Sequence, residues 1–256
     1  MSFIPSEAAS RAVSRYSGGS GQSGFTLTEL LTVITIIIVL AVAIAPSLNV
    51  LGSSSFVQAC SKVVQTMEEA RAYAVAKHTY VYVGIGEFSA AAPDKVGTNG
   101  TGRLALFAIA SRDGGRLLST TVSGGTVIDS SNSIPISKLM RLDNIGLTDL
   151  STNSLGGLVR SAGTNLFPGG VVDTNAAILF TFPQVLHQRD EPAYRFTTCV
   201  EFQPRGSAYP GMGANSLPGY LEIGLTPAKG MAKPPTKNVA VIQISGITGK
   251  ATLLRP

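Results

Sequence analysis

From Phe25 the chain reads FTLTELLTVITIIIVLAVAIAP, and between Phe25 and Ala45 the only charged side chain is Glu29. No other feature limits the fold so tightly, because a helix that is apolar on every side has to be buried in a large core or in lipid. At 1.5 Å per residue the run is about 31 Å long, close to the roughly 30 Å of a bilayer's hydrocarbon layer. It predicts a single-pass membrane helix. Thr32 and Thr35 are compatible with that, since a helical threonine can return its hydroxyl to a carbonyl one turn back. An ionisable group in such a segment points to function by default. Against that, a carboxylate in the first helical turn is favoured by the helix dipole whatever its function.

Three readings compete for the segment. A secretory signal needs a basic start, a shorter apolar core and a small-residue cleavage site. Ala43-Ile44-Ala45 supplies the last, but Pro46 would follow the cut, and Arg11 and Arg15 lie upstream of the spacer SGGSGQSG. A plain anchor leaves Gly24 and Glu29 as accidents. In the third reading, Gly24, Phe25, Thr26, Leu27 and Glu29, with Pro46 closing the run, resemble the processing signal of type IV pilins and type II secretion pseudopilins. The resemblance implies cleavage by a prepilin peptidase between Gly24 and Phe25 and N-methylation of Phe25. It also implies assembly in which Glu29 meets the terminal amine of a neighbouring subunit. That amine could equally meet its own Glu29, because residues four apart share a helix face. Two charges that are each costly in lipid are tolerable as a pair, which would make Glu29 a register mark.

Met1–Gly24 is then a leader carrying Glu7, Arg11 and Arg15, with one net positive charge, as expected of a cytoplasmic flank. Residues 25–45 form the transmembrane and assembly helix, 46–78 its continuation, and 79–256 a β-rich head on the periplasmic side of the inner membrane. Pro46 should kink the helix. Gly52 weakens it, and Ser55 with Gln58 reads as a capping box and a fresh start. Beyond that, Phe56, Cys60, Val63, Met67, Ala70 and Ala74 recur at steps of four and three, a stripe for packing on a sheet, with Glu68, Glu69, Arg71 and Lys77 mainly off it.

After His78, read as a helix C-cap, the texture becomes short strands. Candidates are 79–85, 104–110, 120–128, 177–182, 194–202, 220–225, 238–244 and 251–254, punctuated by Gly, Ser, Asn and Pro. Residues 130–175 read as an extended connection with a short helix near 136–142. A helix followed by a run of strands predicts an α+β fold with an antiparallel sheet. The segments Glu69–Val83, FQPRGSA (Phe202–Ala208) and Ile242–Pro256 look like the pseudopilin H and FimT group of minor pilins. Phe202, Pro204 and Gly206 match its FxPxG turn, and Gly249 and Lys250 match its Gly-basic pair with lysine for arginine.

Cys60 and Cys199 fit no metal spacing; one disulfide between them and two buried free thiols both remain open. The two histidines, His78 and His187, are far apart, and His187–Glu191 reads as a solvated turn. Gly211-Met212-Gly213 lacks the third glycine of a nucleotide loop, and no nucleophile elbow is present. No cofactor or catalytic residue is expected. Lys229, Lys233, Lys237, Lys250 and Arg255 keep a DNA-binding minor pilin as the alternative, although a net charge of +5 with only 14% charged residues does not by itself imply nucleic acid. The expected partners are therefore the prepilin peptidase, other pilin or pseudopilin subunits, the inner membrane and, as the alternative, nucleic acid.

Overall fold

A computed structural model describes residues 26–93, 97–117, 121–122, 125–126, 132–150, 163–167, 180–182, 194–211, 216–233 and 238–255, without the side chains of 42–54, 121–122, 125–126 and 180. Its one helix among these residues, α1, spans Leu27–Lys77 and runs through Pro46, Gly52 and Ser55 without a break in assignment. The fresh start expected at Ser55 is absent. The chain divides into two compact units between Val50 and Leu51.

Among the described residues strand predominates over helix, so the chain is chiefly β rather than α+β. What packs on the sheets is the portion of α1 that belongs to the second unit, and one long helix laid on a sheet is not the arrangement. Among the described residues no helix is long and apolar enough to cross a membrane. The transmembrane helix, and the single-pass inner-membrane placement built on it, do not hold.

The second unit is built on two sheets. In the first, β1 (Val81–Ser89) pairs antiparallel with β2 (Gly102–Ser111) from Val81↔Ala110 to Ser89↔Gly102. A small ladder of β3 (Thr121–Val122) and β4 (Gly125–Thr126) follows. Strands β5 (Ser133–Pro135) and β6 (Met140–Asp143) both pair with β2. Next come β7 (Ile145–Leu147), β8 (Thr164–Asn165), β9 (Phe180–Phe182) and β10 (Tyr194–Phe196), the last two paired with each other. On the other flank of β1 lie β11 (Thr198–Phe202) and then β12 (Ala208–Pro210). The second sheet runs β15 (Ala251–Leu254), β14 (Ala240–Ser245), β13 (Tyr220–Pro227) and β7, with β8 parallel to β13.

Every position of β1 and β2 is buried, because both faces of the first sheet are covered. The pleat sends alternate residues to opposite faces. On one face Val81, Val83, Ile85, Leu104, Leu106 and Ala108 join the helix stripe Phe56, Cys60, Val63, Met67, Ala70 and Ala74 with Leu221, Ile223, Ile242 and Ile244 of the second sheet. On the other, Tyr82, Phe88, Phe107 and Ile109 meet Leu117, Tyr194 and Phe196. Phe88 packs edge-on against Tyr194 at 4.8 Å and Phe107 against Phe182 at 4.9 Å, arrangements that suit the ring quadrupoles. Met67 is fully buried at the centre of the stripe. Met67→Ala is expected to cost about 2–5 kcal/mol of unfolding free energy, read from urea titration of the full chain.

The described part of the 130–175 segment departs most from expectation, and its residues 151–162 and 168–175 lie outside the described residues. In place of a helix near 136–142, β6 pairs Leu142 with Leu104 and Met140 with Leu106. Ser137 Oγ accepts the Ala108 N–H at 2.9 Å, and Asp143 takes the Arg103 guanidinium at 2.6 Å. These partners lie on β2, far away in sequence, and they override local propensity. The helix end itself follows the reading of His78, which takes a left-handed φ of 50° while Thr79 N–H closes on Ala74 O at 3.1 Å.

Candidate functional site

The start of α1 shows what Glu29 does locally. Its Oε2 accepts both the backbone N–H and the hydroxyl of Thr26 at 2.9 Å, while Glu29 N–H donates back to Thr26 Oγ1 at 3.3 Å. This is a reciprocal capping box that satisfies two of the helix's orphan donors. Thr32 and Thr35 bond the Thr28 and Leu31 carbonyls at 2.8 and 2.7 Å, as their positions in an apolar helix suggest. Beyond the cap, Leu27, Leu30, Leu31, Val33, Ile34, Ile36, Ile37, Ile38, Val39 and Leu40 are all exposed, Leu27 by 79% and Leu31 by 62%. Steps of 100° per residue distribute these ten around the whole helix circumference. Gly24 and Phe25 lie outside the described residues, as does the side chain of Pro46.

In the second unit the two glycine motifs meet on the helix. Phe202 is fully buried, Pro204 and Arg205 form a turn, and Gly206 has φ +87°. Gly249 has φ +64°, and a β-carbon there would lie 2.1 Å from the Gly206 carbonyl oxygen. Only residues without a side chain permit that approach. The helix clasps the same turn: Arg71 Nε donates to Thr248 O at 2.5 Å, and Glu68 Oε1 accepts the Ala251 N–H at 2.6 Å. At the other end of β15, Arg255 sits 5.6 Å over the Phe56 ring and donates to Asn238 Oδ1 at 2.7 Å. Glu68 and Arg71 were read only as residues off the stripe. Their i,i+3 spacing, which pairs them at 3.3 Å, was the available signal.

Three buried carboxylates, Glu87, Glu201 and Glu222, escaped the sequence reading, and the first two grip cations. Glu87 on β1 accepts the Gly102 and Leu147 N–H groups at 3.2 Å and the Lys233 ammonium at 2.7 Å; Lys233 also donates to Leu147 O at 2.8 Å. Glu201 on β11, fully buried, is gripped by Arg116 through Nε and Nη2 at 2.9–3.1 Å. Burial pushes both carboxyls above the ordinary value, and the cations work in the opposite direction. Nearby, Tyr82 Oη accepts the Leu117 N–H at 3.0 Å, and burial raises its phenol.

Both cysteines are free and buried, Cys60 in the helix-side core and Cys199 in the aromatic one. Burial pushes the Cys60 thiol up to about 11 and raises Cys199 as well, so neither offers a thiolate near neutral pH. Lys233 is tied to Glu87 and Arg255 to Phe56 and Asn238, Lys229 and Lys250 are exposed on different turns, and Lys237 lies outside the described residues, as does His187–Glu191. Among the described residues no three His, Cys, Asp or Glu side chains gather as a metal site. A scan against protein-family models found no match, and searches of curated proteins and of solved structures found none either.

Proposed function

We propose that this chain is a pilin-like filament subunit, cut between Gly24 and Phe25 by a prepilin peptidase, methylated at Phe25, and assembled through the helix that begins at Leu27. A type IV pilus or a type II secretion pseudopilus is the kind of filament such a subunit would join. The observation that carries the reading is the apolar side chains of Leu27–Leu40, exposed all round the helix. Fully burying one Leu, Ile or Val is worth roughly 1.5–3 kcal/mol. Ten of them, each roughly half exposed, would return about 9–17 kcal/mol on burial, of the same order as the 4–15 kcal/mol or so that association costs. Copies of the same helix would satisfy that surface on several sides at once.

Within that reading Glu29 has two partners to choose between. Its carboxylate is held by Thr26 in the single chain, through bonds to neutral donors. A neighbour's N-terminal ammonium would offer a charge-assisted bond of roughly twice the strength, provided the helices pack in register. The test is intact mass and N-terminal sequence of the protein from cells with and without the peptidase, together with Glu29→Ala. The expected result is a methylated terminus at Phe25 only when the peptidase is present. Glu29→Ala should be processed normally but vanish from the sheared filament fraction. An uncut chain, or a Glu29→Ala protein that assembles like the wild type, removes the proposal.

A further inference from the structure

At the loop end of the β1–β2 hairpin, Asn99, Gly100 and Thr101 lead back into β2. Ser89 N–H donates to Thr98 O at 2.9 Å and Ala90 N–H to Thr101 O at 3.0 Å, and between them Asn99 makes a single antiparallel bridge with Phe88. Asn99 is exposed. It is also the one asparagine in the sequence that glycine follows.

That pairing has a chemistry of its own. The main-chain nitrogen after an asparagine can attack the side-chain carboxamide carbon; a C–N bond forms, the C–NH2 bond breaks, and ammonia leaves with the nitrogen's proton. Water then opens the five-membered succinimide at either carbonyl, giving aspartate or isoaspartate, with no oxidant or other reactant required. A side chain on the attacking residue shields its nitrogen, and glycine has none. The other asparagines with described side chains are held back in ways the structure shows. Asn144 precedes the buried, β-branched Ile145. Asn165 is bonded at both ends, to Asp149 Oδ1 and from Phe167 N–H at 3.1 Å, and precedes Leu166. Asn238 accepts from Arg255 and precedes Val239, and Asn132 is hydrogen-bonded to Asp113 and precedes the buried Ser133.

We propose that Asn99 is a site of spontaneous deamidation and the first asparagine of this chain to convert. The isoaspartyl product inserts a methylene into the main chain between the two ladder bonds at Thr98 and Thr101. Thr101 Oγ1 donates to Met231 O, and Met231 sits in the turn that Lys229 and Ala232 close, directly before Lys233. The change therefore loosens the corner where Lys233 meets Glu87. Asn99-Gly100-Thr101 also has the form of an N-glycosylation acceptor. The bond from Thr101 to Met231 occupies the hydroxyl that such an acceptor presents, so deamidation is the modification this geometry favours.

The test is timed incubation of the purified full chain at mildly acidic and mildly alkaline pH, followed by digestion and peptide mass spectrometry. The Asn99 peptide should gain the mass difference between NH2 and OH several-fold sooner than any other asparagine peptide, as two chromatographic products. Alkaline conditions should speed it, because the attacking amide must lose its proton. Asn99→Gln should abolish the change at that peptide, and hydrogen exchange at 228–233 should quicken in aged wild type but not in this variant. Earlier conversion of another asparagine, a rate indifferent to pH, or a glycan on Asn99 in protein from its native source would overturn the proposal.

Discussion

Lys233→Met is expected to lower the unfolding free energy of the chain by about 3–5 kcal/mol, because it strands Glu87, whose side chain is only 2% exposed, as an uncompensated buried charge. The loss should depend on pH in a definite direction. Burial already holds the Glu87 carboxyl above its ordinary 4.5, and removing the ammonium raises it further. The folded state then binds a proton that the unfolded state has released, so stability falls as pH rises through that window and recovers on acidification toward about 4.5. Urea titrations across the range should show the deficit of Lys233→Met shrinking as pH drops. The double variant Glu87→Gln, Lys233→Met should regain most of it at neutral pH, since the buried charge is gone. A deficit that stays constant with pH would mean the lysine acts through its packed stem alone.

Gly249→Ala should be nearly as damaging, about 3 kcal/mol. Placing a side chain at a left-handed φ costs roughly 1–3 kcal/mol, and forcing one into packed backbone adds a similar amount. Here the added carbon would lie 2.1 Å from the Gly206 carbonyl oxygen and 3.2 Å from Arg71 Cδ. The turn at 245–250 would have to lift, taking with it the Arg71 and Glu68 bonds to Thr248 and Ala251. Hydrogen exchange at Ala251 should therefore quicken more than at Ile223 or Ile242. Equal change at all three would show a global effect instead of a released turn.

These two sites were unequally legible. The glycine pair was marked only through the resemblance, by Gly206 in an FxPxG turn and Gly249 beside Lys250, and the helix stripe was visible because its members recur at steps of three and four. Strand 251–254 was also read with its observed bounds. The Glu87–Lys233 pair was not, since 146 positions separate its partners and nothing local marks a strand glutamate as buried. The same holds for Arg116 and Glu201. Residues 136–142 were misread for a related reason: their conformation is set by pairing to β2, on which the local pattern is silent. The Thr26–Glu29 box could have been read, being a Thr-x-x-Glu at a helix start, but the hydrophobicity that follows drew the reading toward a membrane. Among the described residues that membrane helix is not found.

The clasp on β15 has a consequence for the order in which the molecule forms. Glu68 and Ala251 are 183 positions apart, and Arg71 and Thr248 are 177 apart. Contacts of such separation close only after a large loop of chain has surrendered its freedom, and they slow the folding of any domain that depends on them. A nascent chain therefore carries its finished helix, apolar stripe uncovered, through most of the synthesis of the sheets. During that interval the stripe from Phe56 to Ala74 is open to any other apolar surface it meets, and a chaperone that shields it would raise the yield of folded protein more than one acting on the completed sheets.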